Sequence, residues 1–122
     1  RGHMLNRVIL YVRDMEAVAA FYQKYFGYRI TRFEGDRVVD LAPEDGGATI
    51  MLHPAGKGQR VGQSTVKLIF DVEDVPGFCE RCAQDVLQFG PLHHVDGYVF
   101  ANAKDPAQNP ISVSGRAFRT VD

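Results

Sequence analysis

Apolar and polar side chains alternate clearly near the start of the chain, where residues 5–12 predict a β-strand. One face of this strand is aliphatic, with Val8, Leu10 and Val12. The other face is mixed, with Arg7, Ile9 and Tyr11. Since successive side chains of a strand point to opposite sides, the aliphatic face is expected to pack on a core and the mixed face to remain open.

The residues that follow predict a helix. Asp14 stands where an N-cap is expected, because its carboxylate can accept hydrogen bonds from the first helical turn. Apolar residues then recur at helical spacing, and Gly27 suits the end of the helix. Strands are expected at residues 28–34, 37–41 and 48–53, separated by glycine-containing turns. The first half therefore reads as strand, helix and three strands.

The second half repeats this pattern. Residues 67–75 echo residues 7–15: each segment has a basic residue, an apolar run ending in Val, a charged residue, an Asp and an apolar residue. A strand is expected at 65–72, a helix after Asp74 with Pro76 in its first turn, and strands at 87–94, 98–103 and 111–114. A repeated unit of this kind predicts two similar modules.

The domain boundaries follow from these elements. Residues 1–4 are interpreted as a vector or tag remnant, and residues 5–116 as one domain. Within this domain we expect module one at 5–53, a glycine-containing linker at 54–64 and module two at 65–116. Residues 117–122 are left as a tail without an assigned element.

Composition narrows the class of protein without naming a function. Apolar residues make up 45% of the 122 residues and the net charge is −1, values typical of a globular domain. The charge does not favour a nucleic acid or an anionic membrane as partner, and no apolar run is long enough for a membrane helix. The two cysteines, close together, favour reduced thiols and a cytoplasmic location.

Two segments resemble a known family. Phe21-Tyr22 and Phe26-Gly27-Tyr28 after the first strand resemble the first module of the vicinal oxygen chelate superfamily, which includes glyoxalases, extradiol dioxygenases and bleomycin-resistance proteins. Residues 100–111 resemble its closing signature, although Gln108 replaces the usual Gly. The resemblance implies an α+β fold with two βαβββ modules that form a curved, cup-shaped mixed sheet with the helices outside. It also implies a homodimer.

The resemblance places the four metal-ligand positions of catalytic family members at Arg7, Met51, Lys67 and Ser112. An Arg, a Lys, a thioether and a hydroxyl are poor donors to a divalent ion. We therefore expect no metal and no cofactor. The alternative is a displaced metal site in which His53 combines with His93 or His94, histidines that otherwise read as the end of a strand and an exposed hairpin.

Arg7 and Lys67 would both lie on open strand faces. We expect them to favour a small organic molecule bearing a carboxylate or phosphate, with Arg7 as a bidentate contact. Asp40 or Asp71 could instead neutralise them. A further alternative is that both side chains extend to solvent and pair with surface carboxylates.

Aromatic residues complete the expected pocket, because rings on open strands can stack a planar ligand. The same residues could equally be part of the core. The residues expected to bind ligand are Arg7, Tyr11, Met51, His53, Lys67, Tyr98, Phe100 and Ser112.

Cys79 and Cys82 admit two interpretations. A Cys-x-x-Cys pair at a helix start can be redox-active, but Cys79 lies about a turn inside the helix, which favours buried thiols that pack as small apolar groups.

Taken together, the expected pocket and the poor metal donors favour a metal-free small-molecule-binding protein, as in drug sequestration. The alternative is an enzyme, namely a metal-dependent lyase, isomerase or dioxygenase of the same superfamily, for which no catalytic residue can be named.

Overall fold

The computed structural model describes residues 2–119 and contains eight β-strands, two α-helices and one 3-10 helix. In chain order they are β1 (Arg7–Val12), α1 (Met15–Phe26), β2 (Arg29–Arg32), β3 (Val39–Ala42), β4 (Thr49–Pro54), β5 (Leu68–Asp71), α2 (Val75–Gln84), β6 (His93–Val95), β7 (Tyr98–Lys104), β8 (Pro110–Ser114) and the 3-10 helix (Arg116–Phe118). The chain divides into two compact units, the first ending at Val61 and the second beginning at Gly62.

The first unit is a βαβββ module. Its sheet has the order β1-β4-β3-β2, in which β1 and β4 are parallel and the other neighbours are antiparallel. The Asp14 carboxylate accepts a hydrogen bond from the Ala17 N–H at 3.0 Å, as expected of an N-cap. Gly27 ends α1 in the left-handed conformation, with φ of 72°, which glycine adopts at little cost.

The second unit has the same topology. Its sheet order is β5-β8-β7-β6, again with one parallel pair, β5 and β8. The Asp74 carboxylate caps α2 by accepting from the Gly77 N–H at 3.1 Å, and Pro76 lies in the first turn. The α+β fold with two βαβββ modules is therefore confirmed.

One face of each sheet is buried and contributes to the core. In the first unit the buried residues include Val12, Leu41, Ile50 and Leu52, together with Tyr22 of α1. In the second unit they include Val75, Cys82, Ala101, Ile111 and Val113. We call the opposite face of each sheet, whose residues alternate with these, the open face.

The observed strands are shorter than the expected ones at several ends. The strand expected at 65–72 spans only Leu68–Asp71, and the one expected at 87–94 is reduced to His93–Val95. Before β6 the chain is anchored in another way, because Phe89 is buried and the Gly90 N–H donates to the Asn102 carbonyl at 2.8 Å. Alternation in sequence does not reveal where ladder pairing stops.

Neither helix within residues 2–119 is long and apolar enough to cross a lipid bilayer.

Candidate functional site

The open face of the second sheet forms one wall of a cavity of about 630 Å³. Side chains from β5, β7 and β8 contribute to this wall, together with Lys67 just before β5 and the segment that follows β8. Alternation along each strand explains the arrangement: Ala101 and Val113 are buried and Phe70 is half-buried, so their neighbours along the chain face the cavity. We call this space the second-unit cavity.

Four of the eight residues expected to bind ligand line the second-unit cavity: Lys67, Tyr98, Phe100 and Ser112. Strand pairing brings β7 and β8 side by side, with Asn102 opposite Ser112 and Phe100 opposite Ser114. Because residues opposite each other in paired strands share a face, positions far apart in the sequence meet at one surface.

Hydrogen bonds hold two of these side chains in place. Lys67 Nζ donates to the Asn102 Oδ1 at 3.0 Å, and the buried Ser112 Oγ donates to the Ala101 carbonyl at 3.1 Å. Ser112 therefore presents a small side chain with an occupied donor. At the cavity wall, the ammonium group of Lys67 lies against the side-chain amide of Asn102.

Two aromatic side chains, Tyr98 and Phe100, line the cavity, and His93 extends the row of rings beyond the cavity lining. His93 stacks on Phe100 with ring centroids 4.8 Å apart and an angle of 25° between the planes. Tyr98 follows, with its centroid 6.5 Å from that of Phe100. Such a strip offers flat apolar surface together with a phenol hydroxyl and an imidazole edge. We call His93, Tyr98 and Phe100 the aromatic strip.

The cavity residues that sequence reasoning missed include two cations, Arg116 and Arg119. Both lie in or after the 3-10 helix, in a segment without apolar periodicity, so the pattern gave no element for them. The Arg116 Nη1 donates to the Tyr98 hydroxyl at 3.0 Å, and both guanidinium groups lie 5.6 Å from the Tyr98 ring centroid. The available signal was the presence of two arginines directly after the last strand.

The remaining four expected residues lie on the open face of the first sheet. Tyr11 is opposite His53 in the parallel pair, with ring centroids 5.3 Å apart, and Met51 is the next residue of β4 on this face. His53 Nδ1 lies 2.8 Å from the Pro54 carbonyl oxygen. Arg7 is exposed at the start of β1. Their part in binding remains a prediction.

The carboxylates expected to neutralise the two cations do not pair with them. Within residues 2–119 neither Arg7 nor Lys67 forms an ion pair. The Asp40 Oδ1 is buried and has no hydrogen-bond partner, and Asp71 lines the second-unit cavity without an ion pair. The charge of Lys67 is instead met by the neutral amide of Asn102.

The donor set does not fit the family's divalent metal. In the first unit its positions hold Arg7 and Met51, and in the second unit Lys67 and Ser112. Over the described part of the chain no three His, Cys, Asp or Glu side chains come close enough together to hold an ion. The alternative, a displaced site in which His53 combines with His93 or His94, stays a prediction.

The cysteine pair of α2 has the properties of packed thiols. Cys82 is buried and Cys79 is half-buried. Burial raises the pKa of both thiols above the ordinary value, and proximity to Cys82 adds to the rise in the pKa of Cys79. A redox-active thiol requires the opposite shift, because the thiolate is the reactive form.

Several solved structures share this fold. TnmS3, an antibiotic binding protein from Streptomyces sp. CB03234, has a TM-score of 0.75 at 18% identity, covering 91% of this chain and 93% of its own. Lactoylglutathione lyase from Agrobacterium tumefaciens has a TM-score of 0.71 at 18% identity, covering 93% of each chain. An integron cassette protein from V. cholerae has a TM-score of 0.70 at 24% identity, covering 93% of this chain and 95% of its own.

A comparison with curated protein sequences gives no significant match. A family model, by contrast, matches almost the whole domain, over residues 4–113. Its span includes both modules, in agreement with the repeated topology and the structural likenesses. The chain therefore belongs to the Glyoxalase/Bleomycin resistance protein/Dioxygenase superfamily.

Proposed function

We propose that this protein binds a small organic molecule in the second-unit cavity, without a metal or another cofactor, and that binding itself is its activity. The cavity volume of about 630 Å³ falls in the range of ligand sites in proteins. The aromatic strip is the single observation that carries this proposal, because stacked rings beside a cavity can hold a planar organic group.

Two further features support binding over catalysis. The cavity wall contains cations, hydroxyls and rings, but no described cluster resembles a nucleophile activated by an adjacent base. The structural likeness to an antibiotic binding protein agrees with a sequestering role, in which affinity is the useful property. We propose accordingly a cytoplasmic, homodimeric protein of the drug-sequestration type.

The alternative function is a metal-dependent lyase, isomerase or dioxygenase, for which the fold of lactoylglutathione lyase is the supporting observation. The donor chemistry at Arg7, Met51, Lys67 and Ser112 disfavours it. Elemental analysis of purified protein separates the two proposals. Stoichiometric zinc, iron, manganese or nickel would favour the enzyme.

The binding proposal is tested with a neutral aromatic probe, 2-naphthamide, and the Phe100→Ala variant. Removing the central ring of the aromatic strip should weaken binding about ten-fold, since stacking and apolar burial are lost together. Isothermal titration calorimetry measures the dissociation constant.

Phe33→Ala is the matched control. Phe33 is 58% exposed and lies between β2 and β3, in the first unit. Its removal should leave the dissociation constant unchanged. The proposal fails if wild-type protein binds neither 2-naphthamide nor its anionic analogue 2-naphthoate, or if both variants weaken binding equally.

A further inference from the structure

Two guanidinium groups at one phenol ring are the feature of the second-unit cavity that packing alone leaves unexplained. Arg116 and Arg119 both lie 5.6 Å from the Tyr98 ring centroid. Like charges held at one ring repel each other, and a cation–π contact at an exposed position offsets only part of that cost. Within residues 2–119 neither arginine forms an ion pair.

The backbone fixes the arginines against β7. The Gly115 N–H donates to the Val99 carbonyl at 3.0 Å, and the Arg116 N–H donates to the Ser114 Oγ at 3.1 Å. The 3-10 helix thus starts at a set position on the edge of the cavity. This attachment fixes the backbone from which the two side chains extend, so little backbone freedom remains to be lost when a ligand binds.

Arg116 keeps donors available for a ligand. Its Nη1 donates to the Tyr98 hydroxyl, and this bond orients the guanidinium plane, while its other side-chain N–H groups donate to no residue within 2–119. Arg119 has no side-chain hydrogen bond to any described residue. A carboxylate can accept two parallel hydrogen bonds from such a group, which a neutral amide cannot match.

The charges that line the cavity also favour an anionic ligand. Its lining includes three cationic side chains, Lys67, Arg116 and Arg119, against one carboxylate, Asp71. An anion entering the cavity would relieve repulsion among these groups. The aromatic strip lies beside them, since Tyr98 belongs both to the strip and to the arginine cluster.

We infer that Arg116 and Arg119 form an anion clamp, and that the ligand of the second-unit cavity is a planar aromatic compound carrying a carboxylate or another oxyanion group. The ring system stacks on Phe100, and the anionic group binds the two guanidinium groups at Tyr98. This inference rests on the proposed function, because it specifies the ligand of the same cavity. It moves the main anion contact from Arg7 to the segment after β8.

Two probes of the same shape test the inference: 2-naphthoate, which is anionic, and 2-naphthamide, which is neutral. Wild-type protein should bind 2-naphthoate about ten-fold more tightly, as expected for charge-assisted hydrogen bonds. Arg119→Gln should remove most of this preference by weakening 2-naphthoate alone. Arg116→Gln should do the same, and it should also lower the melting temperature slightly because it changes the bond to Tyr98.

Arg81→Gln is the control, since Arg81 is an exposed cation on α2 that does not line the cavity. It should keep the full preference for 2-naphthoate. Equal affinity of wild-type protein for both probes would overturn the clamp while leaving the proposed function in place. Failure of both probes to bind would overturn the two together. A preference that survives in Arg119→Gln and Arg116→Gln would also overturn the clamp.

Discussion

The two modules share one topology but differ in what their open faces carry. In the first unit, Met51 lies opposite Ile9 on one side and Asp40 on the other. In the second unit, Ser112 lies at the corresponding place, opposite Ile69 and Asn102. The duplicated backbone therefore gives the same row of positions twice, filled with different side chains.

The two open faces differ mainly in the size of the central side chain and in whether their polar side chains have hydrogen-bond partners. Met51 places a long thioether in the middle of its row, whereas Ser112 is small and uses its hydroxyl on the Ala101 carbonyl. Asp40 keeps a buried oxygen without a partner, whereas Asn102 accepts from Lys67. A small, satisfied side chain at the centre of the second row leaves room beside it for a guest molecule.

The comparison shows how a duplicated fold can divide its roles. In both sheets the face opposite the open face is aliphatic, because it packs against a helix. The open faces are free to diverge, since little of the core depends on them. Ligand specificity is thus expected to reside in a few open-face positions and in the segment that follows the final strand.

Replacing Ser112 by the residue type of Met51 should have the largest effect of the substitutions that make the second module resemble the first. Ser112→Met would place in the second row the side chain that Met51 places in the first. The larger side chain should occupy the cavity beside the aromatic strip and lower the affinity for 2-naphthamide about 100-fold, which corresponds to ~2.7 kcal/mol. Calorimetric titration measures this loss.

Ser112→Ala separates volume from hydrogen bonding. It removes the donor to the Ala101 carbonyl but adds no bulk, so affinity should fall far less than in Ser112→Met. The account of the second row would be wrong if the alanine variant lost as much affinity as the methionine variant.

Most of the fold could be predicted from the sequence, for identifiable reasons. The aliphatic alternation of residues 8–12 and the caps Asp14 and Asp74 are local signals, and local hydrogen bonds satisfy them in the structure. Strand ends were less accurate, because residues 65–67 alternate suitably but lie outside the observed β5. Pairing partners, which decide strand ends, are distant in sequence.

The site was only partly predictable. Lys67, Tyr98, Phe100 and Ser112 follow from alternation within strands, and all four line one cavity. Arg116 could not be placed in this way, because it belongs to a 3-10 helix whose position depends on the Gly115 and Ser114 hydrogen bonds. Irregular segments carry no periodic signal that would show which surface they approach.

A second prediction compares the two helices. Counted from their caps, Cys79 and Cys82 of α2 take the places of Ala19 and Tyr22 of α1, and Cys82 is buried whereas Cys79 is half-buried. Because burial raises the pKa of both thiols, less thiolate is present at neutral pH. Both should react with iodoacetamide about ten-fold more slowly than a cysteine in a peptide, as measured by mass spectrometry at pH 7.5.

The raised pKa of the two thiols also predicts how the free energy of unfolding changes with pH. The fold favours the uncharged thiols, so their contribution is fully present below the pKa of an unfolded cysteine and is lost as pH rises through the raised pKa of the folded state. Cys82→Ala should reduce the fall in the urea midpoint at alkaline pH. Alkylation of either native thiol as fast as the peptide would contradict buried packing.

A third and smaller effect concerns the unsatisfied carboxylate of the first unit. Asp40→Asn installs the residue type that the second unit has at the corresponding position, Asn102. Removing a charge whose Oδ1 is buried without a partner should stabilise the protein by about 1 kcal/mol. Chemical denaturation measures the change, and a clear loss of stability would show that Asp40 has a role as a charged group.

The most direct test of where the ligand binds is a titration of ¹⁵N-labelled protein with 2-naphthoate, followed through backbone amide chemical shifts. We expect the largest changes at Phe100, Ser112 and Arg119, which surround the second-unit cavity. Changes confined to the first-unit residues Tyr11 and Met51, or the absence of any change at saturating probe, would contradict the assignment of binding to that cavity.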